Sequence, residues 1–478
     1  MKKKTAWIGV LLILLIGVGA AVRASCSDVR TNAVTFYVAP DGSDGAAGTA
    51  KAPFATLLRA RDAVRALKQS QTNDFDVIIR GGRYPFSKTL VFGLEDSAVE
   101  CQTITYKAAA GEQPVLSGGT VLSGWQRTEL PGNIWVADFP STGKNILTLY
   151  CGETRLPRAR GKGFTPSKKY DFKNVSGPVT DTIEFPPGAL KNYADLKHAE
   201  MVVRTSAAWA MNILPLVSVD EVSGIAKTAP CNYSLGRMWG TPETPDDMWV
   251  ENVLAELDAP GEWVAHPDEA KIYYWPLNDQ QPVDVIFPAV TEIIRVEGRT
   301  DYGGPVDTPV KGLHFEGLTF MHADRMLTPD QIGGRGLQHG WDYFDSPNAM
   351  LRFRGAENCS IKNCRFTAGG DNGIRLDLHA QKITIENSLF DHLGGAAAVF
   401  AGYGLGTKDA NKNNAFINNH VYRVCELKKD RPALMIWQSG GNRIANNLIH
   451  DVPYTAVSVS CRAATTGSGE AWKSRRDS

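Results

Sequence analysis

A chain of 478 residues, 43% of them hydrophobic, can bury a large core, either as two globular domains or as one elongated solenoid. Its 51 lysines and arginines balance 51 aspartates and glutamates, so no net field draws it to nucleic acid or to an anionic membrane. The expected partner is recognised locally, group by group.

Lys2, Lys3 and Lys4 precede an apolar run from Trp7 to Gly19, and Val22-Arg23-Ala24 offers a cleavage site. The run is shorter than the about 20 residues of a spanning helix, so residues 1–24 read as a cleaved signal peptide. This predicts a secreted, periplasmic or cell-surface protein, off the membrane once the signal is removed. The 8 cysteines are widely spread and none has zinc-ligand spacing, so most are expected as small buried side chains.

Residues 33–120 read as an N-terminal cap and the first coils of a stack. A strand at 36–38 and the turn-rich PDGSDG lead into residues 53–67 (PFATLLRARDAVRAL), whose apolar positions recur at helical spacing. Strands are predicted at 76–79 and 104–106. A helix laid across the first strands would cover an open sheet edge, as solenoids require. Residues 121–290 differ, with mixed strands predicted at 145–149, 201–204, 263–264, 271–275 and 283–287, many prolines and no short period. They read as an inserted β-rich domain.

Residues 291–460 are repetitive. LHFEGLTF (313–320), SIKNCRF (360–366), TIENSLF (384–390), FINNHVY (416–422) and RIANNLI (443–449) align, and Asn363, Asn387, Asn419 and Asn446 recur at intervals of 24, 32 and 27 residues. One supersecondary unit per period signals a stacked array. β-branched and aromatic residues dominate and helical stretches are lacking, which favours strands over a leucine-rich horseshoe. The expected fold is all-β: a right-handed parallel β-helix with an N-terminal capping helix, an inserted β-rich domain and an asparagine ladder between coils. Second strands are expected at 373–376, 397–400 and 456–459.

The stretches FYVAPDGSDG, APFATLLRARDAV, LYCGETRLPRAR, GEWVAHPDEAKIYYWPL, VIFPAVTEIIRVEG and NRIANNLIHDVPYTAVSVS resemble β-helix proteins related to glycoside hydrolase family 141, over residues 35–460. The resemblance implies a glycosidase working on pectin or xylan, on side chains or backbone; fucosidase and xylanase activities occur in the family. It also implies a further coil after Ser460. Residues 461–478 (CRAATTGSGEAWKSRRDS) lose the alternation and read as a non-family tail, so a chain truncated this way would lack that coil.

Glycosidic cleavage takes two carboxyl groups flanking the bond, and a β-helix supplies them at equivalent positions of successive coils. Superposing the coils on Phe366, Phe390, Tyr422 and Ile449 puts Asp391, Arg423 and His450 in one solvent-facing column, and His392, Val424 and Asp451 in the next. Asp371 lies one coil before Asp391, and Asp409 is expected to overhang the same groove. The catalytic candidates are Asp451, Asp409, Asp391 and Asp371, followed by Asp377 and Glu426. Each has a plain alternative as a turn former that accepts backbone N–H groups. Trp437, out of phase with Leu434 and Ile436, is predicted to project outward. It joins His450, His392, Arg423 and Tyr454 as the substrate-binding set, with Tyr403 in support. Residues 339–345 (HGWDYFD) are expected to wall one end of the groove.

No metal set or cofactor is predicted for a hydrolase, and the partner is a polysaccharide or oligosaccharide bound by a monomer. Two other classes stay open. A calcium-dependent polysaccharide lyase would use Arg375 near Asp371, or Lys408 beside Asp409, and a non-catalytic solenoid would only bind glycans. No nucleotide loop or Gly-x-Ser-x-Gly elbow points to other chemistry.

Overall fold

The computed structural model describes residues 33–460, apart from 71–72, 100, 141–144, 168–179, 207, 232–241, 327–344 and 405–406. The signal segment, the tail after Ser460 and residues 339–344 of the expected groove wall lie outside the described residues. Among the described residues no helix is long and apolar enough to cross a membrane.

The chain winds as a right-handed parallel β-helix. Among the described residues a full coil gives a strand to each of three parallel sheets, of eight, seven and nine strands, the last including two short strands that extend its edge. One coil runs through Ser360–Lys362, Arg365–Phe366 and Asn372–Gln381, and the next through Thr384–Glu386, Leu389–Asp391 and Ala398–Ala401. Alternation sends every second side chain inward. Phe320, Phe366 and Phe390 therefore stack coil on coil, with ring centroids 4.7 and 5.0 Å apart. The helix Leu57–Lys68 caps the first strands. It starts later than residue 53 because Thr56, in extended conformation, accepts from the Arg59 N–H as its N-cap.

Tight corners between sheets require left-handed backbone, which asparagine adopts more readily than most residues. Asn363, Asn387, Asn418 and Asn446 occupy one such column, at φ 53°, 53°, 53° and 57°. The predicted column named Asn419 instead, one residue out. Asn419 belongs to a buried ladder one position on. Its Oδ1 accepts from the Ser388 N–H at 3.0 Å, its Nδ2 donates to the Ile385 carbonyl at 3.1 Å, and its own N–H donates to Asn447 Oδ1 at 2.9 Å. Asn419→Ala should cost about 1–3 kcal/mol, because it strands buried donors and acceptors. Urea unfolding measures this, and Asn418→Gly, which keeps the left-handed corner, should cost far less.

The same one-residue slip affects the aromatic alignment. Phe390 pairs with Val421, not Tyr422, and Val421 with Ile449. Val421 fills the inward position, and the more conspicuous Tyr422 stands on the outer face.

Between Pro114–Ser117 and Ile294–Glu297 the chain leaves the coil and builds antiparallel sheets. Tyr150–Cys151 is a strand, but residues 145–149, predicted as one, are not. Cys101 is disulfide-bonded, whereas Cys359, Cys364 and Cys425 are free and buried.

Candidate functional site

The corner between the second and third sheets carries most of the candidate residues. Loops 322–326, 367–371, 392–397, 423–433 and 451–456 leave the second sheet there and lie one on another. Gly370 N–H donates to the Ala323 carbonyl at 2.8 Å, Gly394 to Gly369 at 2.8 Å, Cys425 to Gly395 at 2.7 Å and Arg423 to Asp451 at 3.1 Å. This packing is backbone on backbone. A Cβ at Gly370 would sit 2.4 Å from the Arg325 nitrogen, and one at Gly394 would sit 2.1 Å from the Gly370 oxygen.

The inserted region leans on this corner. Asp324 accepts from Thr148 Oγ1 at 2.8 Å and from the Leu147 N–H at 3.2 Å, and burial pushes its carboxyl up to about 6. Arg158 and Arg325 both bond the buried Glu200. Arg155 reaches furthest: its Nη1 donates to the Gly369 carbonyl at 2.8 Å, and its Nη2 donates to Glu426 Oε2 at 2.6 Å.

Above these contacts opens a cleft of 630 Å³ lined by Arg423, Val424, Glu426, Lys429, Asp451, Val452 and Pro453. Glu426 is clamped, since Arg423 Nε donates to its second oxygen at 3.1 Å. Asp451 is 71% exposed and lies 2.9 Å from His450 Nδ1. Burial, with Arg204 and Arg160 facing it, holds the Lys429 ammonium below the usual lysine range. In the loops below, the buried Asp371 bonds Lys428 and accepts from the Met326 N–H at 3.2 Å, and its Oδ1 has no hydrogen-bond partner. Tyr454 is half-buried in loop 451–456. The corner thus gathers Asp371, Asp451, His450, Arg423 and Tyr454 with Glu426.

Other expectations are corrected. Asp391 does not face solvent. It is fully buried, bonded by Arg365 at 2.9 and 3.2 Å and lying 3.0 Å from His392 Nδ1, and although burial alone would raise its carboxyl, these partners hold it below the usual range. Its partner in the next coil is Tyr422, and His450 lies beyond it in the same column. Arg423 and Asp451 follow His392 in the neighbouring, left-handed column.

Asp409 does not overhang this groove. It lines a separate cleft of 920 Å³ with Tyr302, Asp307, His379 and Lys408, beyond the far end of the third sheet, and pairs with Lys412 at 2.8 Å. Tyr403 is buried there, bonding Asp307 at 2.9 Å. Trp437 does project from the outer face of the third sheet, in register with Ala401 and Asp377, but it is only 6% exposed, so its ring is not open to a sugar. Asp377 is fully buried between Arg352 and Arg375, at 2.9 and 2.7 Å. Lys429 and Arg155 were missed. Arg155 lies 271 residues from Glu426 in sequence, beyond the reach of any local pattern.

Among the described residues no group of three or more histidines, cysteines, aspartates or glutamates is placed to hold a metal.

The family model described as a right handed beta helix region matches residues 349–470. A solved glycoside hydrolase is similar, at TM-score 0.72 and 24% identity, over 89% of this chain and 79% of its own. A solved complex of XylC with xylose aligns at TM-score 0.45 and 17% identity, over 88% of this chain and 59% of its own. At 24% identity the likeness to the glycoside hydrolase is one of fold. No curated protein matches the sequence.

Proposed function

We propose that this protein is a glycoside hydrolase whose site is the cleft between the second and third sheets, with a pectin- or xylan-type glycan as substrate. The observation that carries the reading is the convergence of Glu426 and Asp451, from successive coils, on one open cleft beside the inserted region. The residues resembling glycoside hydrolase family 141 and the fold shared with a solved glycoside hydrolase support it. Glu426, oriented by two guanidinium groups, suits the base or nucleophile. Asp451, exposed and backed by His450, suits the proton donor. In the step, Asp451 protonates the glycosidic oxygen as its bond to C1 breaks. Glu426 then either takes the proton of the water attacking C1 or bonds C1 itself, to be displaced by water. Arg423 and Lys429 would bind sugar oxygens. The disulfide at Cys101 favours an oxidising compartment and supports export.

The test is incubation with pectin and xylan fragments, with and without a chelator. Release of reducing sugar that the chelator does not touch is expected. Calcium-dependent formation of an unsaturated product would make the protein a lyase instead, and binding without turnover would make it a glycan-binding solenoid.

A further inference from the structure

His420 and His450 stand on adjacent strands of the second sheet, His420–Tyr422 and Leu448–His450, with Tyr422 in register with His450. Their Nε2 atoms face each other at 2.8 Å. The rings are braced, since Tyr422 stacks on His450 at 5.3 Å and lies 4.9 Å from His420. The tautomers follow from the neighbours. With Asp451 in its ionised form, which only accepts, the His450 Nδ1 beside it carries a hydrogen and its Nε2 is left with a lone pair. The proton between the rings then belongs to His420 Nε2. A carboxylate orienting one histidine nitrogen so that the other presents its lone pair is the arrangement found behind metal-bound imidazoles. The site is open, with His450 42% exposed.

We propose that this histidine pair binds a divalent transition metal of the copper or nickel class, with water completing the shell. Donor chemistry selects the class, since the affinity of imidazole nitrogens for divalent ions peaks at copper, next to nickel in the series. Two imidazole nitrogens each about 2.05 Å from one ion lie about 2.9 Å apart at a right angle and about 3.3 Å apart at the tetrahedral angle. The observed 2.8 Å leaves both nitrogens within reach of one ion after a small shift of the side chains. On binding, the His420 hydrogen moves from Nε2 to Nδ1, the ion takes both Nε2 lone pairs, and neither charge nor oxidation state of the protein changes.

The site does not depend on any sugar chemistry, but it touches the cleft through Asp451. If the hydrolase reading holds, an ion on His450 withdraws electron density from the imidazole that backs Asp451, and turnover falls when the site fills.

The experiment is titration of the full chain with copper(II) in a non-chelating buffer, followed by calorimetry and by electron paramagnetic resonance. One equivalent should bind, with hyperfine splitting from two nitrogens. Asp451→Asn should weaken binding about 10–100-fold by loosening the orientation of His450, and His420→Ala should weaken it further. Circular dichroism of His420→Ala and His420→Gln checks that both fold. Absence of stoichiometric binding, or binding that both His420 variants leave intact, overturns the site. Binding without inhibition would overturn only the link to the cleft, and absence of turnover on any glycan would count against the hydrolase reading alone.

Discussion

Glu426→Gln is expected to lower kcat on a cleaved glycan by about 10²- to 10⁴-fold, the usual effect of losing a positioned acid or base. Glutamine keeps the length and shape of the side chain and can still accept from Arg155 at one oxygen, so the loops around it should stay in place. What it cannot do is take a proton or attack carbon. Asp451→Asn should produce a loss of similar size, with KM changed much less than kcat. Asp409→Asn is the matching control. Its carboxylate lines the other cleft and is paired with Lys412, so its kinetics should equal those of the parent protein. A large loss in Asp409→Asn, with Glu426→Gln unaffected, would move the active site to that cleft.

Asp377→Asn should show the opposite profile: a cost of about 3–5 kcal/mol in stability, the scale for breaking a buried charge pair. Asp377 is 0% exposed, and its Oδ2 accepts from both Arg352 and Arg375. Arg352 is also bonded by Glu292 and Asp345, and Asp345 bonds Arg354 as well, so these charges form one buried network on the outer face of the third sheet. Arginine does not release its proton to escape burial. Removing the shared carboxylate therefore takes from the buried Arg375 its carboxylate partner and leaves it with the neutral Asn348, whereas an exposed ion pair would be worth little. Urea denaturation of parent and variant measures the difference. Equal midpoints would show that the network is not what holds these coils together.

The repeat was legible because its cause is local. Inward Phe366 and Phe390 and the corner asparagines each follow from one coil's own geometry. The slip at Asn419 and Tyr422 has a physical source too. The run Asn418-Asn419, like Asn446-Asn447, offers two asparagines where the coils at Asn363 and Asn387 offer one, and Tyr422 is larger than the Val421 that fills the core position. Composition alone does not say which one turns the corner. The site was partly legible for the same reason: Asp451, His450 and Arg423 stand in or beside corner columns that the repeat exposes. Asp391 was misread because the partner that buries it, Arg365, comes from the preceding coil. Asp409 was misread because a loop's side of the solenoid is set by where its coil breaks. Arg155 reaches the corner, and Asp324 of the corner meets Thr148, only because the inserted region packs there, a contact between segments far apart in sequence.

The central claim is that the two carboxylates of the cleft between the second and third sheets flank the bond being cut. A crystal structure of Glu426→Gln soaked with an oligosaccharide tests it most directly. A glycosidic oxygen within hydrogen-bond reach of Asp451, with the sugar beside residue 426, is the predicted result; sugar bound instead among Tyr302, His379 and Asp409 would contradict it.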